Sequence, residues 1–263
     1  MTAHVQHKGD VSDRLPSGQV WGNLPIKAWA SGIGGHYHFD DFKMYAGPVA
    51  AGALAGYTAV IDSGGALANT AGDPEGSLKM TTDSGDGDDI FLFTTNEVIN
   101  VNSNGKRWAF EARVKASIVS QGNIFVGLTN GAATANSTVT GDALANEQIV
   151  GVVVLGGDDD DLRAVYQTAT ASSSYASTDN EYLIQASEYY KIGAVYDGHN
   201  IRYFVTGKKG SETEVTAVQL GSTVKGDATN MPSNNDMRFA VGVEGDGAVL
   251  ALDVDWIAFG QEA

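Results

Sequence analysis

The sequence predicts an all-β protein: an antiparallel β-sandwich preceded by an irregular N-terminal arm. Three observations lead there. Short segments rich in Val, Thr and aromatics recur between Gly- and Asp-rich turns, the punctuation of strands rather than helices. One segment, "RWAFEARVKAS", alternates cleanly, with Trp108, Phe110, Ala112 and Val114 on one face and Arg107, Ala109, Glu111, Arg113 and Lys115 on the other. No stretch shows the 3.6-residue apolar period of an amphipathic helix. The 263 residues suit one large sandwich, and such a core needs no disulfide.

Residues 1–38 form the arm. Pro16 and Pro25 interrupt helix and central strand alike. Two of the four tryptophans nevertheless lie here, in "WGNLPIKAW". Disordered tails are poor in aromatics, so the arm needs a surface to lie on, either its own body or a neighbouring chain. Its apolar cluster is Trp21, Leu24, Pro25, Ile26 and Trp29. We expect this cluster to form an interface with another chain.

The body, residues 39–263, opens at "HYHFDDF". On a strand His36, His38 and Asp40 share a face, and two His with one carboxylate can ligate a divalent ion. No fourth ligand accompanies them, so the stretch reads as the first strand. Next come "TAVIDSGGALANT" and "GSLKMTTDSGDGDD", short strands with Gly/Asp turns. "NIFVGLTNG" reads as the neighbour of the alternating strand, and residues 129–147 as a long surface loop with at most one helical turn. "QIVGVVVLGGDDDDLRAVYQTAT" reads as two strands about an acidic turn. "YYKIGAVYDGHNIRYFVTGKK" is a hairpin with Asp-Gly at its turn, and "MRFAVGVEGDGAVLALDVDWIAFG" a further hairpin turning at Glu244 to Gly247. The expected core is Phe42, Trp108, Phe110, Val114, Phe125, Val152, Val154, Ile192, Val195, Phe204, Phe239, Val241, Leu252, Val254 and Ile257, with Trp256 on the face of Val254.

Taken in order, Phe39-Asp40-Asp41-Phe42, Trp108-Ala109-Phe110-Glu111-Ala112-Arg113, Gly198 through Lys208, and Asp253 to Ile257 resemble the strands of the concanavalin A-like, or laminin-G-like, jelly roll. The resemblance implies that the opening and closing strands pair in one sheet. The Trp-bearing arm leading into the aromatic-Asp-Asp-Phe start resembles tailed-bacteriophage capsid decoration, or cement, proteins. That resemblance implies a non-enzymatic virion structural protein on the capsid surface. Its partners would be the major capsid protein and sister subunits in a homotrimer, and it would be made in the host cytoplasm without a signal peptide. The alternative is a carbohydrate-binding, lectin-like module that takes host glycan, with Tyr175, Tyr182, Tyr189, Tyr190 and Tyr196 as candidate sugar platforms.

Other classes are set aside on chemistry. Zero Cys excludes thiolate metal sites and thiol nucleophiles. With a net charge of −16, the chain lacks the clustered cations that nucleic acid requires. No apolar run is long enough for a membrane-spanning helix. A glycanase of this fold needs a Glu-x-Asp-x-x-Glu array; the nearest match, Glu244-Gly245-Asp246-Gly247-Ala248-Val249, ends in Val. The calcium candidates are Asp158 and Asp160 in "GGDDDDLR" and Asp86 and Asp88 in "DSGDGDD". Successive carboxylates point in different directions while calcium wants six to eight converging oxygens, so solvated acidic turns are the expectation, with no cofactor.

Overall fold

The structure is a computed structural model. It describes residues 16–43, 48–49, 54–62, 64–69, 76–101, 105–136, 138–139, 141, 143–156, 160–169, 173–232 and 235–263. Two short helices, α1 (Gly18–Trp21) and α2 (Ile26–Ala30), precede β1 (Gly35–Asp40), β2 (Pro48–Val49), β3 (Tyr57–Ile61), β4 (Ala66–Asn69), β5 (Leu78–Thr81), β6 (Asp86–Thr94), β7 (Ile99–Val101), β8 (Trp108–Ala116) and β9 (Gly122–Thr129). The remaining strands are β10 (Ile149–Val154), β11 (Arg163–Gln167), β12 (Ser174–Tyr175), β13 (Tyr190–Tyr196), β14 (Asn200–Lys208), β15 (Val215–Lys225), β16 (Asn235–Asp246) and β17 (Ala251–Glu262).

All the pairings are antiparallel, and they build two sheets. The first runs β15-β14-β13-β8-β17-β5-β4-β2, with β1 also on β17; the second runs β12-β11-β10-β9-β16-β6-β3, with β7 also on β16. The architecture is a jelly-roll β-sandwich. The opening strand pairs with the closing one, Gly35 opposite Glu262 through Asp40 opposite Ile257.

Alternation decides which side chains meet between the sheets. Trp108, Phe110, Ala112 and Val114 of β8 join the main core with Phe239, Val241, Ile192 and Leu252. Every side chain expected in the core is buried, but not in one place. Phe125 belongs to a second cluster, with Phe91, Phe93 and Val153, beneath the 130–147 segment on the outer face of the second sheet. Val195 and Phe204 lie on the outer face of the first sheet, in a third cluster with Val20, Trp21, Ala109, Trp256 and Ala258.

Trp256 is buried, but not beside Val254. The register of β17 on β8 shifts between Val254 and Trp256, so Val254 faces Val114 while Trp256 stands opposite Arg113. This β-bulge adds Asp255 and reverses the alternation after it, sending Trp256 outward and Ile257 inward. Asp255 then meets Arg113 at 2.7 Å.

Two expected neighbours lie in opposite sheets. The segment turning at Glu244 to Gly247 is not a hairpin: β16 belongs to the second sheet and β17 to the first. The Gly-rich turn is a corner carrying the chain across the sandwich. Likewise β9 pairs with β10 and β16, not with β8.

Of the arm expected to contact another chain, the described residues 16–34 lie on the outer face of the chain's own first sheet. Trp21 and Trp29 are 3 % and 2 % exposed, while Leu24, Pro25 and Ile26 are half-buried. The physical reason is the face it covers. β8 places Glu111 there, and a buried carboxylate needs donors. Ser17 donates its backbone N–H to it at 2.9 Å and Trp21 its indole N–H at 2.8 Å. Trp29 lies against Gly35 and Gly260, where a Cβ on either residue would crowd the indole. The arm's aromatic pair is therefore occupied within the chain, whereas Leu24, Pro25 and Ile26 are half-buried and Ile33 is 69 % exposed.

The candidate carboxylate site at one end of the sandwich

Three Asp/Gly turns converge at one end of the second sheet. They are 62–65 after β3, 83–88 leading into β6, and 244–247 leaving β16. Register brings them together: Ile61 faces Ile90, Glu244 faces both Asp89 and Asn123, and Asp246 faces Asp86. Asp62 donates its backbone N–H to the Asp89 carbonyl at 2.9 Å.

Asp89 and Glu244 are cross-strand neighbours on the face that also carries Phe91 and Phe93, and they are 1 % and 2 % exposed. The described residues of the 130–147 segment lie over them. Its backbone supplies donors: Asn136 N–H to Asp89 Oδ2 at 2.5 Å and Gly141 N–H to Glu244 Oε1 at 2.8 Å. Asn136 and Gly141 both hold positive φ, 57° and 55°, which Asn and Gly tolerate best. Asn123 completes the joint: its amide donates to the Gly141 carbonyl and its Oδ1 accepts from Gly156 N–H, each at 2.8 Å. Asp89 Oδ1 is buried without a hydrogen-bond partner. Burial pushes the Asp89 carboxyl up to about 6; the Asn136 N–H opposes this, and the charges of Asp62 and Asp88 add to it.

On the partly exposed rim, the carboxyl groups of Asp83 and Asp88 crowd the same side of Gly85, where a Cβ would run into both. The Asp88 carboxyl beside it holds Asp83 below the ordinary carboxylate range, helped by the Gly85 N–H at 2.7 Å. The neighbouring Asp83 in turn raises Asp88, with desolvation and the charges of Asp83 and Asp62.

Of the four calcium candidates, Asp158 lies outside the described residues. Asp86 is described only in its backbone, paired with Asp246. Asp88 belongs to the rim just described. Asp160 sits at φ 64° and takes the Ile184 N–H on its carbonyl at 3.0 Å, at a different place in the fold. Among the described residues no group of three or more His, Asp or Glu could hold a metal ion. In the opening strand His38 Nε2 meets the Tyr57 hydroxyl at 2.6 Å and its ring stacks on Phe259. Asp40 accepts the Phe42 N–H, and Asp41 pairs with Lys43.

The tyrosine platforms do not assemble. Tyr182, Tyr190 and Tyr196 are buried, their hydroxyls bonded to the Gly207, Lys208 and Gly198 carbonyls. Tyr189 lies under the Arg113 guanidinium on the other sheet, and only Tyr175 is well exposed. Sequence reading missed Asp89 and Glu244 as a pair. The signal lay in alternation, which sets Asp89 on the face of Phe91 and Phe93; the pairing with Glu244 becomes visible only in the register.

No family model and no curated protein sequence matches the chain. Similarity to solved structures defines the class by fold, a lectin-like jelly-roll sandwich. A protein of unknown function, SO2946 from Shewanella oneidensis MR-1, matches with a TM-score of 0.58 at 12 % identity over 87 % of each chain. Lectin II from Ulex europaeus matches with 0.52 at 12 % identity, over 86 % of this chain and 98 % of that one. A structure from work on endo-acting O-glycanases of the human gut microbiota matches with 0.53 at 9 % identity, over 84 % and 97 %. At these identities the three matches show the fold alone, and they lend no support to the capsid partner, the homotrimer or the virion location.

Proposed function

We propose that the protein is a carbohydrate-binding module that engages glycan at the Asp/Gly end of the second sheet. The observation that carries the reading is the convergence of three Asp/Gly turns, which sets the part-exposed Asp62, Asp83 and Asp88 on a rim beside the buried Asp89–Glu244 pair. Carboxylates and amide carbonyls accept hydrogen bonds from sugar hydroxyls, and Gly-rich turns let a ligand approach the backbone closely. The lectin-like fold supports the reading.

Binding fits the arrangement better than hydrolysis. Asp89 and Glu244 are held under a covering segment whose N–H groups they accept. The Glu244 turn carries Val249 where a third acid would complete the hydrolytic array. The test is a glycan array followed by calorimetry on the hits. A reproducible ligand whose affinity falls at least about tenfold, 1.4 kcal/mol, in Asp88→Asn supports the proposal. Binding that survives Asp83→Asn, Asp88→Asn and Asp62→Asn unchanged would place the glycan elsewhere, and release of reducing sugar would replace binding with catalysis.

A further inference from the structure

The end of the sandwich that holds Asp89 and Glu244 is built from chain segments without a cation. Residues 44–78, 80–105, 116–162 and 239–263 contain no Lys, Arg or His. They supply Asp62, Asp83, Asp88, Asp89 and Glu244 to one site. Elsewhere two buried acids are paired with bases, Asp255 with Arg113 at 2.7 Å and Asp161 with Arg163 at 3.0 Å, while Glu111 is held by the N–H groups of Ser17 and Trp21. At this end the donors bound to Asp89 and Glu244 are neutral backbone N–H groups.

Two features show that the cluster is more than a solvated acidic surface. Asp89 is 1 % exposed, and its Oδ1 has no hydrogen-bond partner. A buried, unsatisfied carboxylate oxygen costs free energy that a cationic donor would return. At the rim, the carboxyl groups of Asp83 and Asp88 crowd the same side of Gly85, where a Cβ would run into both, and two ionised carboxylates so placed favour a proton or a cation between them.

We infer that this site selects glycans by charge: it takes sugars that carry an ammonium group in preference to their neutral counterparts, and it excludes carboxylated or sulfated ones. The inference rests on the glycan-binding reading above. An ammonium bridges Asp83 and Asp88 and draws on the field of Asp62, Asp89 and Glu244 behind them. A sugar carboxylate or sulfate meets that field with like charge and no Lys or Arg to offset it, the repulsive element that gives discrimination.

The experiment uses the full chain and three probes of matched length: β-1,4-linked oligomers of glucosamine and of N-acetylglucosamine, and α-1,4-linked oligogalacturonate. Calorimetry at low and high salt should give glucosamine at least about tenfold tighter than the neutral oligomer, 1.4 kcal/mol. Galacturonate should give no heat. The preference should shrink as salt screens the rim. Asp83→Asn with Asp88→Asn should bring the glucosamine affinity down to that of the neutral oligomer, with melting temperature confirming that the variant is folded. Equal binding of all three probes, or tighter binding of galacturonate, overturns charge selection while leaving glycan binding standing. A response to none of the three, together with an empty glycan array, overturns both.

Discussion

Trp21 donates its indole N–H to the buried carboxylate of Glu111 at 2.8 Å, tying the arm to the central strands of the first sheet. Burial raises the Glu111 carboxyl above the ordinary range, while Ser17, Trp21 and the charge of Lys191 act in the opposite direction. Trp21→Phe keeps most of the apolar contact and removes one charged hydrogen bond, worth about 1.5–3 kcal/mol. Urea titration should register a loss of that size. Trp21→Ala should cost more, about 3–5 kcal/mol, because it also leaves a cavity over Val195 and Trp256. Indistinguishable midpoints for Phe and Ala would mean that the ring's packing contributes nothing.

Deleting residues 1–34 should uncover Ala109, Val195, Phe204, Trp256 and Ala258 together with Glu111. The shortened chain should melt at lower temperature and bind a hydrophobic dye. Retention of the parent melting temperature without dye binding would show that the arm adds no stability to its own body.

Asp89 should leave a signature in stability against pH. Its folded carboxyl titrates at about 6, above the ordinary 3.8, so the folded state holds its proton more tightly than the unfolded chain. The penalty for burying the ionised form is fully present above about pH 6 and is relieved as pH falls from there toward 4. At about 1.4 kcal/mol per pH unit, the recovery amounts to no more than roughly 3 kcal/mol. Asp89→Asn should flatten that part of the curve relative to the parent chain. Identical pH dependence in the two proteins would assign the effect to other groups.

Asp255→Ala should be among the costliest single changes. It strands the Arg113 guanidinium, whose side chain is only 10 % exposed, without the carboxylate at 2.7 Å. Removing one partner of such a pair costs about 3–5 kcal/mol, against less than about 1 kcal/mol for an exposed pair. The surface pair Lys43–Asp41 is the control: Asp41→Ala should stay near the parent midpoint.

Local patterning carried the sandwich. The alternation of Trp108 to Lys115 survives residue by residue as inner and outer faces, because a strand's period of two leaves little freedom once one face is buried. Three features escaped, each for a physical reason. Asp-Gly turns serve hairpins and sheet-to-sheet corners alike, so the Glu244–Gly247 turn could not say that β16 and β17 part company. A bulge adds one residue with no compositional mark, so Trp256 was set beside Val254 when Asp255 sends it to the other face. The candidate site depends on Asp89 lying opposite Glu244, a pairing across more than half the chain that only the register of β6 on β16 creates. For the arm, composition signalled the need for a surface, but the surface itself is assembled from β8, β13, β14 and β17.

The closing strand holds the first sheet together: β17 lies between β8 on one side and β1 and β5 on the other. During synthesis the ribosome releases β1, β5 and β8 long before the strand that joins them. Until β17 emerges, β1 has no partner, and β8 has β13 on one edge and nothing on the other. Exposed strand edges of this kind recruit other chains. Between the emergence of β1 and that of β17 the first sheet is incomplete, with strand edges open to other chains.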